Sequence, residues 1–132
     1  MAAGKQNMRA NALQYTEAWS SQDPDAVASF YATDGQICIN RGDVLRGRDA
    51  VREMAAGFCA EFPDLKLTCD AFRQAGDHAV FFWTLQGHHV ETGNAVKVAG
   101  WEEWELDEDL KVKVSLGWFD ADEYARQIAE GV

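Results

Sequence analysis

The sequence predicts an α+β fold, helices packed on one face of an antiparallel sheet, and three observations carry that prediction. Apolar residues recur with a period near 3.6 as far as Phe62, and with a period near 2 from Leu65 to Phe119. The later segments are separated by turns of two or three residues, Gly76-Asp77, Gly93-Asn94 and Asp107-Glu108-Asp109, and turns so short join only antiparallel neighbours. No repeat, low-complexity tract or linker interrupts the 132 residues, which are read as a single domain, 1–132.

Met8, Ala12, Tyr15 and Trp19 form one stripe of a first helix, expected from about Lys5 to Ser21. Asp23-Pro24-Asp25 supplies an N-cap, a proline suited to the first helical position and an acid for the helix dipole. A short second helix follows, with Val27, Phe30 and Tyr31 on its buried face, ending near Thr33-Asp34-Gly35. Gln36 to Arg41 is a short strand candidate, and Arg41 to Gly47 a polar loop. The third helix buries Val51, Met54, Ala55, Phe58 and Phe62, and Pro63 stops it. Leu65, Leu67, Cys69 and Ala71 then alternate with polar residues, and 79–91, 95–106 and 110–119 read as strands. Asp120 with Glu123 three residues on has the spacing of a capping box and opens a last short helix.

Composition narrows the function. Twelve Lys and Arg against twenty-two Asp and Glu give a net charge of −10, a field that repels nucleic acid and anionic membrane surfaces. No apolar stretch approaches the roughly eighteen residues needed to span a bilayer. The three cysteines have no CxxC spacing and sit among apolar neighbours, which points to unpaired thiols and a cytoplasmic location. P-loop, GxGxxG, HExxH and GxSxG motifs are all missing, so no cofactor is expected.

Glu102 is the residue that stands out. On the strand 95–106 it shares a parity with Val96, Val98, Trp104 and Leu106, a lone carboxylate on an apolar face. If that face is covered, desolvation raises its pKa and equips it to give or take a proton near neutrality; a twist or bulge would instead turn it to water. His88 and His89 are adjacent on a strand, so they leave opposite faces and cannot share a metal; one faces inward, as a ligand contact or as a hydrogen-bonded core histidine. Tyr15, Trp19 and Trp118 supply large rings with polar atoms, suited to plain core or to an aromatic pocket.

The pattern Tyr15-x3-Trp19, Asp23-Pro24-Asp25-Ala26-Val27 to Phe30-Tyr31-Ala32-x-Asp34, Arg46-Gly47-Arg48-Asp49-Ala50-Val51, Gly87-His88-His89 with Thr92-Gly93, and Trp118-Phe119-Asp120 spans nearly the whole chain. It resembles the nuclear transport factor 2-like superfamily, in particular its SnoaL-like polyketide cyclase and ketosteroid isomerase-like branches. The resemblance implies a cone, a strongly curved antiparallel sheet on three N-terminal helices around an apolar pocket. It also implies a small hydrophobic ligand and a homodimer formed through the outer face of the sheet, where Trp101 and Phe119 are expected. The isomerases' first-helix tyrosine matches Tyr15, their second acid Glu102 and their pocket tryptophan Trp118. Their general-base aspartate has no counterpart in Cys38-Ile39-Asn40. The cyclases' inward acid and neighbouring histidine resemble Glu102 and His88, whereas the Asp-Arg-Asp set of the epoxide hydrolases of this fold is missing.

The expected site is therefore Glu102, His88 and Tyr15 as the groups that handle protons, with Trp19, Ile39, Asn40, Phe58, Trp104 and Trp118 lining the pocket and no metal. Two functions fit: a cyclase or isomerase moving a proton beside a carbonyl, and a noncatalytic ligand-binding or dimerisation module.

Overall fold

A computed structural model describes the backbone of residues 2–132 and the side chains from Met8 onward. Four helices, α1 (Ala2–Ser20), α2 (Pro24–Ser29), α3 (Arg48–Glu61) and α4 (Ala121–Glu130), accompany six strands, β1 (Tyr31–Ile39), β2 (Val44–Arg46), β3 (Lys66–Ala75), β4 (His78–His88), β5 (Ala95–Leu106) and β6 (Val112–Phe119). The strands form one curved, unclosed sheet in the order β2-β1-β6-β5-β4-β3. The run β3-β4-β5-β6 is antiparallel throughout, as the short turns require. β1 pairs parallel with β6, a contact reached only because the chain passes through α3 and four strands in between.

The two expected N-caps form. Asp23 caps α2 by accepting the Ala26 N–H, and Asp120 caps α4 by accepting the Glu123 N–H. The Glu123 carboxylate does not reach back to the cap; it bonds Arg126 and Gln127, and those partners hold it down to about 2. α1 is fastened to the sheet edge at its C-terminal end. There Ser20 Oγ accepts from Leu67 N–H at 2.9 Å, and Gln22 donates to Leu65 O at 2.9 Å. Met8, Ala12, Tyr15, Trp19, Val51, Ala55 and Val98 are buried in one core, with Phe58 packed against it at partial burial.

Five expectations are corrected. The second helix is shorter than expected: Tyr31 leaves it and begins β1, which runs from Tyr31 to Ile39 rather than from Gln36 to Arg41. The polar loop after it contains β2, a three-residue edge strand paired with β1. β4 ends at His88, three residues early. The parity of β6 reverses along its length: Leu106 opposes Val112 but Glu105 opposes Val114, so Lys113 is an extra residue. Val112 is thus inward, and after the bulge Ser115 and Gly117 are buried while Leu116 is exposed and Trp118 is only half-buried. A second bulge, at Asp70 on β3, turns Phe72 inward in place of Ala71.

Cys38, Cys59 and Cys69 are unpaired and half-buried. No helix among the described residues is long and apolar enough to cross a membrane.

Candidate active site

β5 alternates buried and exposed without a break from Ala95 to Leu106, which places Glu102 inward as its parity predicts. Cross-strand registers build the site in rows. Ala79, Trp104 and Ser115 lie side by side in one row; Phe81, Glu102, Gly117 and Ile39 form the next; Trp83, Gly100 and Phe119 form the one beyond. Glu102 lies between a polar row on one side and an aromatic row on the other.

On the polar side its carboxyl is the hub of a buried network. Ser115 Oγ donates to Oε1 at 2.8 Å and Trp104 Nε1 at 2.9 Å. The Tyr31 hydroxyl reaches Oε1 at 3.2 Å, and the Tyr15 hydroxyl lies 3.2 Å from each oxygen. The two tyrosine oxygens are 3.1 Å apart. Glu102 is 7% exposed, and no cation is among its partners. Desolvation pushes its pKa above the ordinary value of 4.5, against the pull of four donors, from Trp104, Ser115, Tyr15 and Tyr31, that favour the charge. Burial, with Glu102 adding to it, holds both tyrosines well above their usual range.

The Tyr15 hydroxyl donates toward the two carboxyl oxygens and the Tyr31 hydroxyl toward Oε1, so the two hydroxyls and the carboxyl close a triangle in which Oε1 also accepts from Ser115 and Trp104.

On the other side Glu102 borders a small, partly open pocket of about 50 Å³. One wall is Ile37, Ile39, Met54 and Phe58; another is Trp83, Phe119 and Tyr124; Trp19, Leu67, Leu85 and Val98 complete the lining. Gly117 contributes no side chain, and a Cβ there would already stand 3.9 Å from Glu102 Cγ. Glu102 is the one carboxyl on this lining.

Of the expected site residues, Glu102 and Tyr15 are brought together, and Trp19, Ile39 and Phe58 line the pocket. Four others lie elsewhere. His88 is exposed at the end of β4, where its Nδ1 meets Asp64 Oδ2 at 2.6 Å, remote from the Glu102 network. Its neighbour His89 is the buried histidine, past the strand end, with Nε2 3.2 Å from Glu61 Oε1 and its ring edge-on to Phe62; it is a core histidine. Asn40 turns away in the left-handed region, its Oδ1 accepting the Phe119 N–H, and Trp118 is on the outer face of the sheet beneath the Arg41 guanidinium. Trp104 lies behind Glu102, stacked on Phe81, and not on the pocket surface.

Among the described residues no three His, Cys, Asp or Glu side chains gather closely enough to hold a metal. Tyr31, Ser115, Trp83, Phe119 and Tyr124 were not singled out as site residues. The alternation of Ala79, Phe81, Trp83 and Leu85 would have placed Trp83 inward, whereas Ser115 and Phe119 are turned in by the bulge at Lys113.

A curved sheet on helices thus borders an apolar pocket with one buried acid on its lining. The SnoaL-like domain family matches residues 12–114, and the chain belongs to that family. Its fold is shared with solved structures at low identity. A candidate SnoaL-like polyketide cyclase from Jannaschia sp. CCS1 is 14% identical, with 96% of this chain and 94% of that one covered and a TM-score of 0.84. A hypothetical protein of ketosteroid isomerase-like fold from Catenulispora acidiphila, solved with trimethylamine, is 18% identical over 89% and 90% of the two chains, with a TM-score of 0.81. TerC, co-crystallised with polyporic acid, is 17% identical over 93% and 99%, with a TM-score of 0.78. No curated protein is similar in sequence.

Proposed function

We propose that the protein is a cofactor-independent enzyme of the cyclase or isomerase type, moving a proton next to a carbonyl in a small hydrophobic substrate, with Glu102 as acid/base. The observation that carries this reading is the position of Glu102, a desolvated carboxyl bordering an apolar pocket and backed by four hydrogen-bond donors. Ser115, Trp104 and Tyr31 occupy Oε1, which leaves Oε2, with Tyr15 as its one partner, as the oxygen that exchanges a proton with substrate. Tyr15 is behind the carboxyl and not on the pocket lining, so it acts through Glu102 as a positioning residue and relays no charge to substrate directly. The small ligands in the trimethylamine and polyporic acid structures are compatible with a small-molecule site on this fold.

The experiment is deuterium exchange at the carbon next to the carbonyl of 1-tetralone in D2O, followed by NMR. Wild type accelerates exchange over buffer, and Glu102→Gln lowers that acceleration by roughly two or more orders of magnitude. The amide preserves the shape of the network while removing the transferable proton. A second reading, a ligand-binding module without chemistry, is favoured by the single carboxyl on the lining. It predicts no exchange above buffer for wild type, and that outcome overturns the catalytic reading.

A further inference from the structure

The pocket as it stands is too small for a bicyclic probe such as 1-tetralone. Its space of about 50 Å³ is roughly a third of the ~150 Å³ that accommodates benzene, so such a molecule enters only if part of the wall moves. Burial shows where the rim is. The lining residues that reach solvent in part are Ile39, Met54, Phe58, Phe119 and Tyr124, and the others are buried and form the floor. These five come from the end of β1, α3, the end of β6 and α4, so the mouth lies between α3 and α4.

The rim elements are not held alike. β1 and β6 are laddered into the sheet, and α3 buries Val51 and Ala55 in the core while packing on α2. α4 fully buries one residue, Gln127. Two hydrogen bonds, among the described residues, tie it to the rest of the molecule, and both come from its C-terminal half. Lys97 N–H donates to Gln127 Oε1 at 2.6 Å, and Asn94 Nδ2 donates to Ile128 O at 2.9 Å. β6 leaves the ladder at Phe119, opposite Gly100, so 95–99 of β5 has no strand on that side. α4 lies there instead, and Gln127 gives Lys97 the acceptor that a strand would have given. Nearer the hinge the helix presents Tyr124, whose ring lies 6.1 Å from that of Phe62, just past α3, and 5.3 Å from that of Phe119. It bridges the gap between α3 and the end of β6.

We propose that α4 is a hinged cover over the pocket, swinging about Asp120 so that Tyr124 leaves the mouth, with the Gln127 and Asn94 hydrogen bonds as its latches. Closed, it keeps water from the apolar lining and Glu102; open, it admits the ligand. Phe119 stays behind, because its N–H is held by Asn40 Oδ1 and its strand by β5. The proposal rests on the pocket being a ligand site, as read above, and not on Glu102 moving a proton.

Two measurements test it. In 15N-labelled wild type placed in D2O, the Lys97 amide exchanges whenever α4 opens, at least about tenfold faster than the amides laddered between β4 and β5. Asn94→Ala cuts the other latch, leaves the Lys97 bond intact, and speeds that exchange further. Access is tested by the double variant Asn94→Cys, Gly131→Cys. A Cβ on Gly131 would stand 3.9 Å from that of Asn94, the spacing a disulfide takes, so the bond pins the free end of the cover. Its formation is read as the loss of two thiols against the three native ones. With the bond closed, association of 1-tetralone, followed by tryptophan fluorescence, slows by about tenfold or more, and a reductant restores it. Cysteine at Gly131, where φ is +87°, is strained, and the reduced protein is the control for that strain. Lys97 exchanging as slowly as the ladder overturns the proposal, and so does tetralone entering the cross-linked protein as fast as the reduced one. Should the disulfide not form, Asn94→Ala decides access, since cutting a latch must then speed tetralone association. If tetralone binds neither form nor wild type, the ligand site itself is gone and α4 covers nothing; binding to both forms alike removes only the cover.

Discussion

Glu102 concentrates the chemistry of the molecule, and its burial has a consequence for stability with a definite sign. Its folded pKa is above 4.5, so between that value and the raised one the native state holds a proton that the unfolded chain has lost. Stability from this group is therefore greatest below about 4.5 and falls as pH rises through the window above it. In Glu102→Gln the amide oxygen takes the donors of Oε1 and the amide nitrogen donates to Tyr15 in place of Oε2. The variant folds, and its melting temperature relative to wild type rises with pH from about 4.5 upward in thermal scans. A pH-independent difference would mean that the carboxyl titrates alike in both states. Glu102→Ala instead strands Trp104 Nε1 and the Ser115 hydroxyl, and it costs about 3 kcal/mol by urea denaturation. Glu102 was legible in the sequence because a single parity, undisturbed along β5, governs it. Tyr31 was not: the apolar run Val27, Phe30, Tyr31 fits a helix face, and only the tertiary pairing of Tyr31 with Val112 makes it a strand residue.

At the scale of elements, strand existence was readable and strand phase was not. Period-2 alternation and short turns located β3 to β6 within a few residues, but a bulge is one residue in a ladder and carries no sequence mark of its own. The bulge at Lys113 exchanged the roles of Trp118 and Phe119, sending the expected pocket tryptophan outward and the expected dimer phenylalanine inward. The row Trp83, Gly100, Phe119 shows how closely the pocket wall depends on that register. A Cβ on Gly100 would meet the Trp118 carbonyl oxygen, and it would stand 2.6 and 2.8 Å from two ring carbons of Trp83. Neither the backbone oxygen nor a ring 91% buried can move away freely. Gly100→Ala should lower stability by about 1–3 kcal/mol, read as a lower melting temperature, and should weaken tetralone binding by displacing Trp83. An unchanged melting temperature would show that the wall is plastic and that Trp83 has other places to go.

At the scale of the whole molecule, among the described residues the outer face of the sheet leaves large apolar side chains in water. Phe82, Trp101 and Trp118 stand directly across one another on β4, β5 and β6, with Leu116 beside them, and Phe82, Trp101 and Leu116 are 38, 40 and 37% exposed. A contiguous apolar row of this kind on a chain of net charge −10 is a surface that a monomer would leave in water at a cost. The charges around it suit a second copy of the same chain. Along β5 the outward residues run Lys97, Ala99, Trp101, Glu103, Glu105, so a two-fold axis near Gly100 sets Lys97 of each protomer against Glu103 of its partner while Trp101 packs at the centre. A homodimer is therefore expected, its mass measured by light scattering at micromolar concentration. Trp101→Lys, placed at the axis where two added cations face each other, should yield a monomer with unchanged circular dichroism and an intact pocket. A wild-type monomer at micromolar concentration, or a Trp101→Lys protein that remains dimeric, would remove the outer face of the sheet as the interface.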